Sequence, residues 1–201
     1  PYSEKVFVAY NRRFYASVIE AMKLIEEDGG LESMHFDFTE WAHKIEPLDK
    51  APGVKENWFF ANSTHVVDLA FFIAGKPKEW QAYSSPGKLS WHPKTKFAGA
   101  GLTEKNVLFS YHSNWESAGR WGLELNTYKR KIILRPLEEV QIQWKGSIQV
   151  EKHEVDMSVD HEFKPGLYYQ LTSFLADKND HLITLNQHIV NSYNVYNKII
   201  L

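Results

Sequence analysis

Apolar residues in the first 40 positions recur at two spacings, which predict two kinds of element. Within residues 14–27 they fall three or four positions apart, the interval of a helix with one buried face. Within residues 34–38 apolar and polar residues alternate, which predicts a half-buried strand. The run VFVAY at residues 6–10 predicts a short buried strand ahead of the helix.

A second apolar segment, NWFFANSTHVVDLAFFIAGKP at residues 57–77, predicts a buried helix that ends at Gly75, with Pro77 shortly after. The middle of this segment nevertheless carries polar residues. They are Asn62, Ser63, Thr64, His65 and Asp68. Because polar groups are costly to bury without partners, this segment is the first place to look for function.

From residue 79 to about residue 156 the pattern predicts strand after strand, with turn sequences such as SPG at 85–87 and KGS at 145–147 between them. The predicted strands cover residues 80–84, 96–102, 107–115, 121–128, 131–135, 139–145 and 149–155. Connections this short predict an antiparallel meander.

The C-terminal part returns to helical spacing over residues 166–176 and 184–200, where Thr184 and Gln187 fit a capping box. The predicted fold class is α+β: a large, mainly antiparallel β-sheet with helices covering one face, in a single domain over residues 1–201. Aromatic residues on the strands predict partial burial of the other face by formation of a homo-oligomer. These aromatic residues are Trp80, Tyr83, Phe109, Tyr111, Trp115, Trp121 and Trp144.

Composition narrows the possible partners and location. The 201 residues, 43% of them hydrophobic, suit one domain with a sizeable core, and a net charge of −2 without a basic run argues against nucleic acid and anionic membranes. The absence of cysteine excludes disulfides, thiolate metal sites and cysteine nucleophiles. No signal peptide is apparent, and the longest apolar run is about half of the roughly 20 residues of a spanning helix, so we expect a cytoplasmic location.

Several motifs of known chemistry do not occur. The sequence has neither G-x-G-x-x-G nor G-x-x-x-x-G-K-[ST], and G-x-S-x-G is also absent. Its nine histidines show no H-E-x-x-H spacing. We therefore expect neither a phosphate-cradling loop nor a metal site in this chain.

The polar cluster of the second helix has two interpretations. Asn62, His65 and Asp68 stand three residues apart, so neighbouring members share one helix surface. An imidazole beside a carboxylate can exchange a proton near neutral pH, which favours a catalytic site. The alternative is a core histidine with Asp68 as its local partner, and spacing alone favours that alternative.

Two further stretches carry candidate ligand-binding groups. In NRRFY, residues 11–15, the paired Arg12 and Arg13 suit a polyhydroxyl or phosphorylated substrate, although surface charge explains them equally well. In NWESAGRW, residues 114–121, two tryptophans flank an arginine. That arrangement fits stacking on a sugar or a buried aromatic corner. Lys164 is a further ligand candidate.

Two segments together resemble the C-terminal domain of the Gfo/Idh/MocA family of NAD(P)-dependent oxidoreductases. VAYNRRFYASVIEAMKLIEEDGGLESMHFDF is similar to the entry strand, "RRF" turn, first helix and following strand of that family. WFFANSTHVVDLAFFIAGKP is similar to the helix that bears its catalytic histidine. The resemblance covers nearly the whole chain, and it implies that an N-terminal Rossmann domain, with the NAD or NADP site and a catalytic lysine, belongs to the whole protein.

By position, the resemblance implies that His65 is the catalytic histidine, which acts with that lysine in proton transfer. It implies substrate contacts for Asp68 and for the Arg12 and Arg13 region. Many members have an aspartate four residues before the histidine, where this chain has Ala61. Either His65 then works with lysine alone, or Asn62 orients the substrate, or the chemistry has changed.

The resemblance implies the substrate-binding and oligomerisation domain of an oxidoreductase that acts on a hydroxyl of a sugar, sugar nucleotide or cyclitol. Two alternatives remain. Ala61 motivates a non-catalytic carbohydrate-binding or assembly protein on the same scaffold. A free-standing β-sheet carbohydrate-binding module is the third, and a Rossmann sequence upstream in the same reading frame would contradict it.

Overall fold

The computed structural model describes residues 5–201, so the first four residues of the predicted domain lie outside it. An eight-stranded sheet forms the centre of the fold. Its strands are β2 (Ser33–Asp37), β3 (Pro77–Ser85), β4 (Lys96–Thr103), β5 (Leu108–Asn114), β6 (Gly122–Asn126), β7 (Arg130–Leu134), β8 (Val140–Trp144) and β9 (Glu151–His153). A separate antiparallel pair is formed by β1 (Phe7–Val8) and β10 (Ile183–Thr184).

Helices form in all four predicted helical regions, and two further short helices, the second and the fourth, were not predicted. They are α1 (Ala16–Glu27), α2 (Ala42–Ile45), α3 (Thr64–Ala74), α4 (Ser158–Glu162), α5 (Leu167–Leu175), α6 (Leu185–Asn191) and α7 (Asn197–Ile200). The predicted α+β class, with helices over one face of a mainly antiparallel sheet, is confirmed. Within residues 5–201 no helix has both the length and the apolar character needed to cross a membrane.

The strand order differs from a simple meander. It runs β3-β4-β5-β2-β6-β7-β8-β9, and β2 lies parallel to β5 and antiparallel to β6. The meander prediction is therefore wrong at this point. Met34 and Phe36 of β2 are buried, and the central position surrounds them with apolar neighbours from both adjoining strands. A turn sequence indicates only that the strands before and after it are connected. It cannot indicate that β2, from an earlier part of the chain, lies between β5 and β6.

The core lies on the helix-covered face of the sheet. Across the strands, Phe36 stands level with Tyr111 on one side and Leu123 on the other, and all three are buried. The Phe71 ring of α3 packs edge-on against Phe36 at 5.6 Å and against Phe109 at 5.1 Å. Helix α3 is thus fixed by aromatic contacts directly above the central strand.

The aromatic residues of the strands were predicted to lie on the face of the sheet opposite the helices and to favour its burial. For most of them this prediction is wrong. Phe109, Tyr111, Trp115 and Trp121 are buried in the core of this chain, and Trp80 packs against the same core. Of the seven, only Tyr83 and Trp144 are exposed, by 71% and 45%. The alternation places these rings inward, while the opposite face carries polar positions: Ser33, His35, Asp37, Ser110, His112 and Glu124. Self-association remains a prediction, and the buried aromatic residues do not support it.

Two of the predicted helices contain a wider, π-helical turn. Residues Phe59–Ser63 form such a turn immediately before α3, and Ser192–Tyr196 form another between α6 and α7. A π turn holds an extra residue, so side chains before and after it are rotated relative to a regular helix. The predicted end at Gly75 is confirmed by its φ of 86°, and the capping box of Thr184 and Gln187 is confirmed by reciprocal hydrogen bonds.

Candidate functional site

A short 3₁₀ turn, Asn11–Phe14, joins β1 to α1 and faces α3. The Asn11 side chain donates to the Pro165 carbonyl at 2.9 Å, which ties the turn to the segment before α5. Because the turn changes direction within four residues, its two arginines reach different residues of α3. Arg12 contacts His65, and Arg13 contacts Asp68.

Arg13 and Asp68 form a buried two-point ion pair. Nε and Nη2 of Arg13 donate to the two carboxylate oxygens at 2.7 and 2.6 Å, and the guanidinium lies 4.5 Å from the Phe72 ring centre. Burial raises the pKa of Asp68, and the two hydrogen bonds from Arg13 oppose that rise. Each buried charge of this pair therefore depends on the other. Asp68 and Arg13 are therefore joined to each other, and both also line a cavity of about 210 Å³ beside the C-terminal helices.

His65 is bound to Arg12 rather than to Asp68. Its Nδ1 lies 2.9 Å from Nη1 of Arg12. A guanidinium has no acceptor, so Nδ1 must accept and the ring proton must be on Nε2. Burial, with the nearby charges of Arg12 and Lys164, lowers the pKa of His65 to about 3. At neutral pH His65 is thus a neutral ring with one N–H, packed edge-on against Tyr10 at 4.9 Å.

Arg12 has a different environment from its neighbour. Its Nη1 also donates to Oδ1 of Asn11 at 3.0 Å, and its guanidinium lies 4.9 Å from the Trp121 ring centre. Its Nε is buried without a hydrogen-bond partner, and no carboxylate of residues 5–201 forms an ion pair with it. Burial lowers the pKa of Arg12, as expected for a cation without a direct counter-ion.

Glu40, which follows β2 closely, is a site residue that the sequence interpretation missed. It is 1% exposed, and its Oε1 accepts from the Asn62 amide at 3.0 Å and from the Ser63 hydroxyl at 2.7 Å. Its Oε2 lies 3.3 Å from Nη1 of Arg120, whose guanidinium is 4.5 Å from the Trp121 ring centre. Burial raises the pKa of Glu40 against these donors. The residue comes shortly after an alternating strand, where a charged side chain normally belongs to an exposed loop.

The three polar residues of the second helix are therefore divided among three partners. Asn62 contacts Glu40, His65 contacts Arg12, and Asp68 contacts Arg13. The π turn before α3 accounts for part of this division, since Asn62 lies within it and His65 follows it. Asn62 donates through its nitrogen to a carboxylate, so its Oδ1 is the atom left to accept from a ligand hydroxyl.

A cavity of about 100 Å³ adjoins Arg12. Arg12, Tyr15, Arg120, Trp121 and Glu138 are among its lining residues. Within residues 5–201 no three histidine, aspartate or glutamate side chains are grouped so that they could hold a metal ion. The polar groups that these residues offer are a neutral imidazole N–H, two guanidinium groups and an amide oxygen.

Comparison with known proteins finds similarity in structure only: neither a family model nor a curated protein sequence matches this chain. The apo form of levoglucosan dehydrogenase matches with a TM-score of 0.58 and 17% identity, over 88% of this chain and 57% of that one. An oxidoreductase of Desulfitobacterium hafniense described as NADPH-dependent matches with a TM-score of 0.57 and 13% identity, over 73% and 48%. A super-repressor mutant of Gal80p from Saccharomyces cerevisiae matches with a TM-score of 0.64 and 12% identity, over 87% and 53%.

These matches agree with the fold that the resemblance implies. The chain spans about half the length of these solved structures. Levoglucosan dehydrogenase has also been solved with NADH and levoglucosan, which identifies that relative as a nicotinamide-dependent sugar oxidoreductase. At identities below 20% the similarity establishes the fold and leaves the chemistry of this chain to its own residues.

Proposed function

We propose that this chain is the substrate-binding domain of a nicotinamide-dependent oxidoreductase that acts on a hydroxyl of a sugar, sugar nucleotide or cyclitol. The observation that carries the proposal is the position of His65. It stands near the start of α3 in a fold shared with solved oxidoreductases, and its ring is held by Arg12. Levoglucosan dehydrogenase, whose structure contains NADH and levoglucosan, supports the choice of a carbohydrate hydroxyl.

The cofactor would be held by sequence that precedes this chain. Residues 5–201 contain no strand, glycine-rich turn and helix of the dinucleotide-binding kind, so these residues do not fit the pyrophosphate. When bound, NAD or NADP would accept the hydride. The contribution of this chain is to bind the substrate and orient its reacting hydroxyl.

His65 and Asn62 are the groups that we assign to that task. The Nε2–H of His65 donates to the reacting oxygen and holds it in place as negative charge develops there. Because Nδ1 already accepts from Arg12, the proton of the hydroxyl leaves to a base outside this chain, which the resemblance implies is a lysine. Asn62, fixed by Glu40, accepts from a neighbouring hydroxyl through Oδ1. Arg12 and Glu40 are positioning residues in this proposal.

The test is turnover by the whole protein, including the preceding sequence, with a panel of sugars and cyclitols. We expect His65→Ala to lower kcat by about 100-fold or more with a smaller change in KM, because the lost hydrogen bond strengthens in the transition state. His43→Ala, which removes an exposed histidine of α2, is the matched control and should leave kcat unchanged. Unchanged turnover in the His65 variant would remove His65 from the mechanism.

A second candidate function is a non-catalytic carbohydrate-binding or assembly protein, and two observations favour it. The position four residues before His65 is the exposed Ala61, and Nδ1 of His65 is occupied by Arg12. Gal80p, one of the structural matches, is described as a repressor. This function requires that the whole protein bind a carbohydrate without reducing a nicotinamide cofactor, so reproducible NAD(P) reduction with any sugar would rule it out.

A further inference from the structure

We propose that one face of helix α5 is the surface on which the cofactor domain of the whole protein docks. We call this face the α5 stripe, and it consists of Leu167, Tyr168, Leu171, Phe174 and Leu175. The inference rests on the proposed function for the existence of the cofactor domain, and it adds the place where that domain binds. Three observations carry it: the stripe faces away from the core, the chain enters the fold beside it, and its helix is fixed to the turn that holds His65.

The α5 stripe is apolar, but it faces solvent. Its five residues follow the spacing i, i+1, i+4, i+7 and i+8, which places them on one side of the helix. A surface helix normally packs such a side against the core. Here each of the five side chains is between 43% and 72% exposed, and the buried residue of α5 is the polar Gln170. A contiguous apolar surface of this kind is typical of a site that binds another protein surface.

Aromatic rings extend the α5 stripe at both of its ends. Before the helix, the Phe163 ring stacks on the Tyr168 ring with centres 4.9 Å apart, and Phe163 is itself exposed. At the other end, Phe7 of β1 packs edge-on against Phe174, with ring centres 5.8 Å apart. The apolar surface therefore runs along α5 and reaches β1, the first strand of the described chain.

The contact with β1 favours one occupant of this surface. Any sequence that precedes residue 5 joins the fold immediately before β1, and Val6, next to Phe7, is also exposed. A domain in that sequence is tethered beside the α5 stripe, so its binding is intramolecular and needs no free partner. This chain covers 48%, 57% and 53% of the three solved structures compared above, which leaves about half of each for such a domain.

The start of α5 is fixed to the 3₁₀ turn that faces α3. The Asp160 carboxylate accepts from the backbone N–H of Ala16, at the start of α1, and from that of Gly166, just before α5, each at 2.9 Å. A Cβ at Gly166 would lie 2.1 Å from the Asn11 carbonyl oxygen, so only glycine allows this close contact with the turn. Since an arginine of the same turn holds His65, a domain that docks on the α5 stripe has a fixed position relative to His65. The proposed hydride transfer requires such an arrangement.

The test compares this chain with the whole protein, which includes the preceding sequence. This chain has no cysteine, so Leu171→Cys and Ile148→Cys each introduce a single thiol into it. Leu171 lies in the middle of the α5 stripe, whereas Ile148 is 95% exposed in the connection between β8 and β9 and is the matched control. The reaction with N-ethylmaleimide is followed by mass spectrometry at the modified peptide, so cysteines of the preceding sequence do not interfere.

We expect the thiol at position 171 to react about tenfold or more slowly in the whole protein than in this chain, because docking of the cofactor domain buries it. The thiol at position 148 should react at the same rate in both. In this chain, the rate at position 171 should not depend on the protein concentration, because the surface is used by a tethered domain and not by a second copy. If this chain does not fold separately, the rates at positions 171 and 148 within the whole protein still give the answer.

Leu171→Asp tests whether turnover depends on this surface. A carboxylate buried in an apolar interface is costly, so kcat/KM of the whole protein should fall about tenfold or more. The same substitution should leave the urea unfolding of this chain unchanged, because Leu171 is exposed in it. Ile148→Asp is the control and should preserve both kcat/KM and stability.

Equal reactivity of position 171 in this chain and in the whole protein would overturn the inference. Protection that increases with the concentration of this chain alone would assign the α5 stripe to a second copy and overturn it too, as would full turnover by Leu171→Asp. These outcomes are distinguishable from failure of the proposed function. Turnover of a sugar with NAD(P) by a whole protein whose position 171 stays reactive contradicts the docking surface and keeps the oxidoreductase. Protection of position 171 in a whole protein that never reduces a nicotinamide cofactor does the reverse.

Discussion

Arg12 and Arg13 are adjacent in the sequence and share one 3₁₀ turn, but their environments are opposite. Arg13 meets Asp68 in a two-point ion pair that joins the turn to α3. Arg12 meets the neutral His65, and its Nε is buried without a hydrogen-bond partner among residues 5–201. The comparison shows that two adjacent residues of the same type can differ in charge pairing, and that residue type alone does not reveal which arginine has a carboxylate partner.

The largest expected effect comes from breaking the balanced pair. Asp68→Ala leaves Arg13 buried without its carboxylate, which costs about 3–5 kcal/mol of the free energy of unfolding. Urea unfolding of this chain measures the loss. Asp49→Ala, at an exposed position, is the matched control and should change stability by less than about 0.5 kcal/mol. If Asp68→Ala lowers the free energy of unfolding by less than about 1 kcal/mol, Arg13 has found another partner and the ion pair is not needed for stability.

The next effect concerns the ring that Arg12 holds. The pKa of His65 is lowered to about 3, so between about pH 6.5 and about pH 3 the unfolded chain binds a proton that the folded chain does not. His65 therefore makes the folded state less stable as the pH falls through that window. Nitrogen NMR shifts of the ring should show a neutral Nε2–H tautomer from pH 8 down to about pH 5.

Arg12→Met sharpens that measurement. Removing the guanidinium should raise the pKa of His65, but only part of the way to 6.5, because burial is the larger cause of its depression. The Nε2–H tautomer should also lose its preference, since Nδ1 no longer accepts from Arg12. A ring that titrates near 6.5 in the unmodified chain would contradict both the burial and the hydrogen bond.

The smallest expected effect is on the stability of the same variant. Arg12→Met removes a buried cation that has no counter-ion, so the free energy of unfolding should change by less than about 1 kcal/mol, in either direction. Urea unfolding beside Asp68→Ala gives the contrast directly. A loss of 3 kcal/mol or more would show that Arg12 is as structural as Arg13, and the distinction between the two arginines would fail.

Local features of the fold could be predicted from the sequence because they depend on near neighbours. The spacing of apolar residues located α1 and α3, and Thr184 with Gln187 predicted a capping box that the structure contains. Gly75 ends α3 because its positive φ suits glycine. The insertion of β2 between β5 and β6 was missed, since it depends on contacts across distant parts of the chain.

The candidate site was predicted less completely, for the same reason. The family resemblance drew attention to His65 and to the two arginines, but no spacing indicates that one arginine is balanced and the other is not. Glu40 was missed because its partners are Asn62 and Ser63 in the π turn, 22 and 23 residues later. The regular spacing of apolar residues in this helix does not indicate a π turn. The division of the polar cluster among three partners could therefore be seen only in the structure.

The central place of β2 has a consequence for how the chain is made. Ser33 pairs with Leu108, 75 positions later, and with Asn126, later still. On the ribosome this strand is therefore synthesised long before either neighbour exists, with both edges open and Phe36 uncovered. Helix α3 emerges in that interval, and its Phe71 is the ring that covers Phe36 in the finished molecule. The helix that carries His65 is thus also one that covers the middle of the sheet.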